Sequence, residues 1–472
     1  MRTAASGMTA THDLAVIGGG VSGLALAFLI TRRSSLDVVV LEKTPRAGGK
    51  LQTDWVDGFC CEWGPQGFLD NVDETLELVR ELGQEGELVR AADEAGARFI
   101  VRDGRLRRVP LSPLAFLASD VLSLPGRLRV LLEPFQPAPR AADESVFEFA
   151  RRRIGQEAAE VLVDAMVAGV FAGDARQLSL PATFPRMHEM EATHGSLVRA
   201  MLARTRERFR QKTTASPRPS AGGPAGPGGT LTTFRHGMQQ LTDSLAAALG
   251  ARLRLRCEVQ AVRPHATGFA VQLTTGETVT ARQLAVTVPP AAAAALLGDV
   301  LETGALAALR EIPSIPIAVV ITGYDSPRPF RDPTQGFGFL VPGREHRRIL
   351  GTIFCSSTFP HQAPPQATLL RTLIGGARAP NLTRLSDAEL VSLVRQELDS
   401  FLGGNPEPKL LRIVRHREAI PQYTLGHRSR VAAVQRGVAA VPGLHLLGNG
   451  YGGVAVNACI AAATRLAEQF TP

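Results

Sequence analysis

Apolar residues run through HDLAVIGGGVSGLALAFLI at positions 12–30, with three consecutive glycines in the middle. The apolar residues before the glycines are typical of a short strand buried on both faces of a sheet, and those after them predict a helix. A membrane-spanning helix needs about 20 consecutive apolar residues, and this run is shorter and interrupted by glycine. A secretory signal fits no better, because no small-residue cleavage site follows Ile30. The pattern predicts a strand, a glycine turn and a helix.

The apolar spacing changes several times further along the chain. Residues 73–90 have the spacing of an amphipathic helix. Residues 91–210 predict few strands after the stretch ARFIVRDGRLRRVP (97–110), and then helical segments separated by prolines. Residues 212–230 have the Pro/Gly/Ser-rich composition of a linker. Residues 300–410 alternate apolar strands with one long helix, which predicts an antiparallel sheet at the floor of a substrate cavity.

The glycine turn has the Gly18-x-Gly20-x-x-Gly23 spacing of a dinucleotide-binding motif. In that motif the first glycine permits a tight turn, the second lets a pyrophosphate approach the backbone, and the third lets helix and strand pack closely. The helix N-terminus adds free N–H groups and a positive dipole end. Alone, the spacing also fits an ordinary glycine-rich turn.

Two further features favour the nucleotide interpretation. The apolar stretch LDVVVLEK ends at Glu42, nineteen residues after Gly23. A carboxylate about 20 residues beyond the glycines binds the hydroxyls of a ribose, which favours an unphosphorylated adenosine ribose. The chain continues TPRAGGKLQT, in which a second glycine pair, Gly48 and Gly49, follows Arg46.

This opening resembles the signature of FAD-dependent amine oxidases, carotene desaturases and protoporphyrinogen oxidases, in which such an arginine and glycine pair lie along the flavin diphosphate. The resemblance implies FAD, and the lack of a convincing flavin-linking cysteine favours non-covalent binding. The implied cofactor contacts are Gly18, Gly20, Val21, Ser22, Gly23, Glu42, Lys43, Arg46, Gly49, Gly64, Pro65, Gln66, Gly67, Val259, His416, Gly453, Val454, Ala455 and Val456.

The implied fold is α/β: a Rossmann-like FAD-binding domain of the amine oxidase/hydroxybenzoate hydroxylase type, an antiparallel-sheet substrate domain and an inserted, mostly helical domain. The predicted parts of the FAD-binding domain are 1–90, 231–298 and 416–472. The helical insert is predicted at 91–210, the linker at 211–230 and the substrate domain at 299–415.

Four internal stretches make the resemblance more specific. They are MVAGVFAGDARQLSLPATFP (166–185), GFGFLVP (336–342), GTIFCSSTFP (351–360) and AIPQYTLGH (419–427). With the terminal YGGVAVNACI, they resemble the protoporphyrinogen oxidase family of heme biosynthesis in order along essentially the whole chain. The resemblance implies oxidation of protoporphyrinogen IX to protoporphyrin IX by FAD and O2, with release of hydrogen peroxide.

The resemblance also implies a set of substrate residues. Arg98 matches an arginine that binds a propionate, a charge-assisted pair, although it also fits a surface arginine. Gly169 matches a glycine whose carbonyl faces the pyrrole N–H groups, and it is the candidate catalytic position; it also fits a helix end. Leu340 and Phe359 match apolar side chains that sandwich a pyrrole ring, although isolated apolar residues more often belong to a core.

Three positions depart from the family pattern. Gln66 stands where the family has other residues, which puts a side-chain contact at that position in doubt. Ala458 replaces a common aspartate beside the flavin. His416 stands where many members have tryptophan, so stacking on the flavin is expected to be weaker.

Composition narrows the function classes. The 472 residues suffice for two or three domains, and 44% hydrophobic content with a mean hydropathy of +0.04 indicates a globular protein. The net charge of +8 is spread along the chain, without the basic and aromatic patterns of nucleic-acid binders. The five cysteines form no CxxC or Cys/His ligand spacing, which predicts a reducing compartment and no structural metal.

The leucine-rich segment 111–135 predicts short amphipathic helices, which can lie in a membrane interface without crossing it; the alternative is that its leucines form the insert's own core. We therefore expect a cytoplasmic protein that is peripheral on the cytoplasmic face of the membrane. The expected partners are a tetrapyrrole substrate and O2, with a homodimer and hand-over of product to ferrochelatase as further possibilities.

Two other functions are compatible with the sequence. Oxidation of coproporphyrinogen III to coproporphyrin III fits the same family and the net positive charge. A non-catalytic lipid-binding carrier on the same fold would lack a functional flavin site.

Overall fold

The computed structural model describes residues 11–110, 112–137, 142–210 and 228–470. The start of the chain and most of the predicted linker at 211–230 lie outside these residues.

The strands fall into two large sheets and two small ones. They are β1 (His12–Ile17), β2 (Val38–Leu41), β3 (Thr53–Val56), β4 (Phe59–Glu62), β5 (Phe68–Leu69), β6 (Leu88–Arg90), β7 (Arg98–Arg102), β8 (Arg105–Arg108), β9 (Leu231–Phe234), β10 (Leu253–Arg254), β11 (Val259–His265), β12 (Gly268–Leu273), β13 (Thr278–Val286), β14 (Ser314–Tyr324), β15 (Gly338–Leu340), β16 (Ile349–Phe354), β17 (Thr368–Gly375), β18 (Leu410–Pro421) and β19 (Leu444–Leu446).

The helices surround these sheets. They are α1 (Val21–Arg33), α2 (Asp73–Glu81), α3 (Pro113–Ala118), α4 (Leu124–Leu131), α5 (Val146–Ile154), α6 (Gln156–Ala158), α7 (Asp164–Phe171), α8 (Leu180–Thr183), α9 (Pro185–His194), α10 (Leu197–Arg210), α11 (Gln239–Leu249), α12 (Pro290–Leu296), α13 (Thr303–Arg310), α14 (Cys355–Thr358), α15 (Asp387–Leu402), α16 (His427–Ala439) and α17 (Val456–Ala467).

The first sheet has the order β10-β2-β1-β13-β12-β11, with β19 also paired to β13. β1 is parallel to β2 and β13, so Ile17 lies opposite Leu41. Helices α1, α11 and α17 cover one face, and α12, α13 and α16 cover the other. Because parallel strands end at the same edge, the glycine turn after β1 meets Glu42 after β2. This confirms the predicted α/β nucleotide fold.

The second sheet has the order β18-β14-β17-β16-β15-β7-β8 and is antiparallel except for the β15–β7 pair. α15 packs on one face. The other face packs on β4 and α7, through residues such as Phe59 and Ala168. The predicted antiparallel sheet is therefore present.

Two predicted domain boundaries differ from the sheet pairing. β7 and β8 lie in the span given to the helical insert, yet they extend the second sheet. β18 runs past the predicted boundary at residue 416. The reason is that sheet membership depends on long-range pairing, such as Gly338 with Arg98, which local apolar spacing does not encode. The division into domains stays a prediction.

Helices α3 to α10 make up the predicted insert. A buried ionic network joins them: Arg153 is 1% exposed and bonds Glu191, while Glu133 accepts hydrogen bonds from the first residues of α10. Breaking such a network is costly because it leaves a buried charge without a partner. Across the part of the chain that the structure describes, no helix has both the length and the apolar character to cross a membrane.

Candidate active site

The three motif glycines of the turn are required for different reasons: two of them by the fold itself, and the third by the space that a ligand would need. Gly18 has φ +111°, which favours glycine, and a Cβ on Gly23 would lie 2.1 Å from the carbonyl oxygen of Gly18. Both positions need glycine for the fold itself. A Cβ on Gly20, by contrast, would have no atom within 4 Å, and Gly20 has an ordinary φ of −79°. The open space beside Gly20 fits the approach of a diphosphate.

The N-terminus of α1 is open to an anion. Gly20 is its N-cap, no side chain caps the helix, and no acidic residue lies in the first turn. The first N–H groups of a helix have no intrahelical acceptor, and the predicted contacts Val21 and Ser22 occupy this turn. Free N–H groups and the positive helix end together favour a phosphate.

Glu42 lies beside the turn and is 8% exposed. Its Oε2 accepts from the Gly19 N–H at 2.7 Å, and its Oε1 accepts from the N–H and hydroxyl of Thr44 at 2.9 and 2.7 Å. A carboxylate has about four lone-pair sites, so capacity remains for the predicted ribose contact. The role of Glu42 in holding the turn was not predicted from the sequence.

Two other predicted contacts flank Glu42. The Cys257 N–H donates to the Glu42 carbonyl at 2.8 Å, which places the segment leading to Val259 beside it. Lys43 is exposed.

The second glycine pair closes around the same helix end. The Gly48 N–H donates to the Gly19 carbonyl at 2.7 Å, and a Cβ on Gly49 would lie 3.2 Å from Gly20 Cα. Arg46 donates to Gln52 Oε1 at 2.5 Å and lies 5.0 Å over the Trp63 ring. Within the described ranges no carboxylate forms an ion pair with Arg46, so its charge is available to a diphosphate.

Residues 64–67 form a loop between β4 and β5, which we call the Gly64 loop. Glycine is required at both ends, since a Cβ would lie 2.1 Å from the Lys50 carbonyl oxygen at Gly64 and 2.5 Å from the Thr232 carbonyl oxygen at Gly67. The Gln66 side chain is buried and donates to Gln362 Oε1 at 3.1 Å. Of this loop, the Gly64 and Pro65 backbone fits the predicted flavin contact better than the Gln66 side chain.

The terminal glycine loop (residues 447–455) leads into α17. Gly453 has φ +139°, and α17 begins after Ala455 without a side-chain cap or an acidic first turn. The Tyr423 hydroxyl accepts from the Gly453 N–H at 2.9 Å and donates to the Asn449 carbonyl at 2.6 Å. Tyr423 therefore fixes the loop that carries the predicted contacts Gly453 to Val456. Its role was missed because its partners lie about 30 residues away in the sequence.

Residues near the start of α17 complete this side of the site. Asn457 donates to the Leu69 carbonyl at 2.8 Å, which ties α17 to β5. Burial raises the pKa of Cys459, which disfavours the reactive thiolate. His416 Nε2 donates to the Trp63 carbonyl at 2.8 Å, and burial lowers its pKa. His416 is thus a neutral group next to the Gly64 loop.

The structure brings three of the predicted substrate residues together. Gly338 and Leu340 of β15 pair with Arg98 and Ile100 of β7. A Cβ on Gly169 would lie 2.7 Å from Leu340 Cδ2. Gly169 is exposed, Leu340 and Arg98 are half-buried, and burial lowers the pKa of Arg98.

Phe359 differs from this group. Its side chain is 0% exposed and it lies after α14, near His361. The structure therefore offers Phe359 no surface on which a pyrrole ring could stack.

The end of α7 leaves a carbonyl open. Ala172 has φ +46° and its N–H donates to the Ala168 carbonyl, while the Phe171 carbonyl accepts from Gln422 Nε2 at 2.9 Å. Among the described residues no hydrogen-bond donor reaches the Gly169 carbonyl. The last carbonyls of a helix require outside donors, and a pyrrole N–H is a suitable one.

Several proteins are similar to this chain over nearly its whole length. Coproporphyrinogen III oxidase of Bacillus subtilis is 30% identical, covering 94% of this chain and 95% of its own length. The chloroplastic protoporphyrinogen oxidase of Nicotiana tabacum is 32% identical, covering 98% and 86%. A crystal structure from Exiguobacterium sp. 255-15, provisionally assigned as protoporphyrinogen oxidase, superposes with a TM-score of 0.82 at 26% identity, covering 98% and 99%.

The family model for flavin containing amine oxidoreductase matches residues 21–470. The open α1 N-terminus, the space beside Gly20 and the available Arg46 all fit the diphosphate of such a cofactor. The chain therefore belongs to the flavin-containing amine oxidoreductase family, with FAD as its cofactor.

Proposed function

We propose that the protein oxidises protoporphyrinogen IX to protoporphyrin IX with FAD and O2, releasing hydrogen peroxide. The observation that carries this proposal is Gly169, whose carbonyl is open and whose Cα side faces Leu340 on the strand that pairs with β7 and Arg98. A hydrogen-bond acceptor, an apolar surface and a cation in one place match a tetrapyrrole with N–H groups, apolar rings and propionates. The similarity to protoporphyrinogen oxidases over nearly the whole chain supports the same conclusion.

When bound, FAD supplies the redox chemistry by accepting the hydride that leaves the substrate. The groups of this chain bind and orient. The Gly169 carbonyl holds a pyrrole N–H, Leu340 packs on a ring, and Arg98 pairs with a propionate. The Gly169 carbonyl carries no proton itself, so the pyrrole proton passes to solvent.

Coproporphyrinogen III is the second candidate substrate, favoured by the 30% identity to the Bacillus subtilis coproporphyrinogen III oxidase. Turnover of the two porphyrinogens, followed by porphyrin fluorescence and peroxide formation, tests the proposal. We expect flavin-dependent turnover with a higher kcat/KM for protoporphyrinogen IX. A higher kcat/KM for coproporphyrinogen III would show that this compound, and not protoporphyrinogen IX, is the preferred substrate. If neither porphyrinogen were converted to a porphyrin, the proposed function would be refuted. A colourless protein that binds no FAD would instead favour the carrier.

We also propose that the insert attaches the protein to a membrane surface on the cytoplasmic side. Large apolar side chains are exposed on α3, on α4 with the residues that follow it, and on α10. They are Leu114 (81%), Leu124 (60%), Leu128 (53%), Phe135 (77%) and Met201 (61%). The elements that carry these side chains contact one another, since α4 contacts α3 and the turn Glu133–Phe135, and α10 contacts the same turn. Exposed apolar residues on neighbouring elements are typical of an interaction surface, and the tetrapyrrole product is itself apolar.

The structure refines how this attachment can be tested. Phe116 and Leu117 are half-buried, and Arg129 donates to the carbonyls of Arg152 and Arg153, so these groups serve the insert itself. We expect co-sedimentation with anionic vesicles, weakened when Leu114, Leu128 and Phe135 become serine while turnover in detergent is kept. Protein that stays in the supernatant at low salt would refute the attachment.

We further propose that the protein forms a homodimer and that it transfers its porphyrin product directly to ferrochelatase. The division into domains predicted from the sequence is part of the same proposal. Light scattering of the FAD-bound protein tests the dimer, and a monomer would refute it. Transfer of porphyrin to added ferrochelatase that a porphyrin-binding trap cannot intercept would support hand-over.

A further inference from the structure

Arg371 is a buried cation that no predicted role includes. It lies on β17, and its side chain is 6% exposed. Its Nη2 donates to the carbonyl of Gly64, and its Nε has no hydrogen-bond partner. Over the ranges that the structure describes, no carboxylate forms an ion pair with it. Burying a charge is unfavourable unless a partner compensates it, so Arg371 is expected to have a negatively charged or electron-rich group as its partner.

The nearby acidic groups supply that compensation only in part. Glu62 interacts electrostatically with Arg371. Burial raises the pKa of Glu62 to about 7, although it accepts hydrogen bonds from the Met238 N–H at 2.7 Å and the Thr53 hydroxyl at 2.8 Å. Near neutral pH Glu62 is therefore only partly ionised. Burial likewise raises the pKa of Cys355, so its thiol stays neutral.

Other basic groups are gathered at the same place. Lys50 and Arg371 both act electrostatically on His416 and help to lower its pKa. Lys50 Nζ donates to the Ala419 carbonyl at 2.7 Å, and burial lowers its pKa. The exposed Glu418 acts electrostatically on Lys50 and offsets part of its charge. Two basic side chains thus lie beside the Gly64 loop, and of these Arg371 is the more deeply buried, so an electron-rich ligand would be stabilised there.

A line of contacts connects this cluster to the diphosphate end of the cofactor site. A Cβ on Gly49 would lie 3.2 Å from Gly20 Cα. The next residue, Lys50, contacts the Gly64 loop, because a Cβ on Gly64 would lie 2.1 Å from the Lys50 carbonyl oxygen. Gly64 in turn accepts the Arg371 hydrogen bond. These contacts place Arg371 next to the Gly64 loop, which is a predicted flavin contact, and link that loop to the glycine turn predicted to bind the diphosphate.

We propose that Arg371 contacts the flavin and supplies a fixed positive charge that stabilises its reduced form. This rests on FAD as the cofactor and does not depend on which porphyrinogen is the substrate. A charge held at one place in a buried site stabilises developing charge without reorganisation. A flavin that had accepted a hydride would carry two more electrons than the oxidised form, so a fixed charge on Arg371 would favour the reduced form more than the oxidised form.

The test is the midpoint potential of the bound flavin, measured without porphyrinogen by reduction against a reference dye. Arg371→Gln removes the charge and keeps a polar side chain, and Arg371→Lys keeps the charge. We expect the glutamine variant to retain FAD and to lose on the order of tenfold in the reduction equilibrium, which is about 30 mV to more negative potential for two electrons. The lysine variant should lie near the unmodified protein.

The matched control is Arg412→Gln. Arg412 and Arg371 both pair with Ile321, from opposite sides, so they share one rung of the sheet, but Arg412 is exposed. It should leave the potential unchanged. If the potential of Arg371→Gln matched that of the control with FAD bound, the proposal would be overturned and Arg371 would serve only the Gly64 loop.

An alternative partner for Arg371 is a substrate carboxylate. An unchanged potential with a raised KM for one porphyrinogen would establish that alternative and overturn the flavin contact. Should Arg371→Gln fail to fold, Arg371→Met takes its place, because methionine also removes the charge while its unbranched apolar side chain suits the buried position; the same shift to more negative potential is expected, and an unchanged potential would overturn the proposal. A potential shifted in the lysine variant by as much as tenfold in the equilibrium would contradict a purely electrostatic role.

Discussion

The substitution Gly20→Ala separates what the fold requires from what the cofactor requires. An alanine Cβ at this position meets no atom within 4 Å, and the φ of −79° is one that alanine adopts freely. Two small effects on stability oppose each other. Replacing glycine where the backbone permits it stabilises by about 0.4–1 kcal/mol through the unfolded chain, whereas alanine is a poorer N-cap than glycine. Without FAD, the variant should therefore unfold within about 1 kcal/mol of the unmodified protein.

FAD binding should change much more. The methyl group occupies the space through which a diphosphate reaches the N–H groups at the start of α1. Loss of one hydrogen bond to a charged group costs about 1.5–3 kcal/mol, which corresponds to roughly 10- to 150-fold weaker binding. Titration of FAD into protein stripped of flavin, followed by flavin fluorescence, measures this, and thermal unfolding of the same samples measures stability.

Gly23→Ala is the matched control in the same turn. Its Cβ would lie 2.1 Å from the Gly18 carbonyl oxygen and 2.7 Å from the Thr287 hydroxyl, so the backbone must move. Overpacking of this kind costs about 1–3 kcal/mol, and the cost should appear with or without FAD. The reasoning is refuted if Gly20→Ala binds FAD as tightly as the unmodified protein, or if it destabilises the flavin-free protein as much as Gly23→Ala does.

Three further substitutions test other parts of the site. Tyr423→Phe keeps the ring but leaves the Gly453 N–H without its acceptor, which should cost about 1–3 kcal/mol in FAD affinity or stability; unchanged FAD titration and unchanged unfolding would contradict the role of the hydroxyl. His427 is stacked on Tyr423, and burial lowers the pKa of its imidazole from 6.5 to about 4 in the folded protein. Its contribution to the free energy of unfolding is therefore fully present above pH 6.5 and is lost as the pH falls towards 4. His427→Phe should remove up to about 3 kcal/mol of this acid sensitivity, seen as a smaller drop in the urea midpoint between pH 7 and pH 4.5; an equal drop in both proteins would argue against it. Arg98→Ala should raise KM by the roughly 10- to 150-fold expected for loss of a charged hydrogen bond, with flavin content unchanged. The KM of Arg98→Lys should lie between those of the unmodified protein and Arg98→Ala; unaltered kinetics would remove Arg98 from the site.

The glycine turn and the sheet around it could be predicted from the sequence because their signals are local. The apolar run of β1, the spacing from Gly18 to Gly23 and the carboxylate at Glu42 all lie within about 30 residues, and each has a direct physical reason. Because the motif relates Glu42 to the glycines only by their spacing along the chain, the sequence predicted only its contact with a ribose. Its hydrogen bond to Gly19 depends on how β1 and β2 align, which is a property of the folded sheet.

The substrate side could be predicted only in part, and the difference follows from burial. Leu340 and Phe359 are both apolar residues within the motifs GFGFLVP and GTIFCSSTFP, and nothing in their local sequence distinguishes them. In the fold, Leu340 faces the exposed end of α7, whereas Phe359 is completely enclosed. Arg371 was missed for the opposite reason, because an arginine within an apolar strand looks like a solvent-facing residue until its burial is known.

The motif AIPQYTLGH shows most clearly why sequence resemblance alone does not explain a site. Adjacent residues in it reach in two directions: Gln422 donates to the Phe171 carbonyl at the end of α7, and Tyr423 holds Gly453 and Asn449 of the terminal glycine loop. The proposed substrate acceptor on α7 and the flavin-side loop are therefore attached to neighbouring positions of one chain segment. Because Gln422 and Tyr423 are adjacent, their hydrogen bonds hold the end of α7 and the terminal glycine loop in a fixed relative position. If the Gly169 carbonyl binds substrate and the glycine loop binds flavin, as proposed, this segment would also fix the distance between the two, which is the kind of positioning that catalysis depends on.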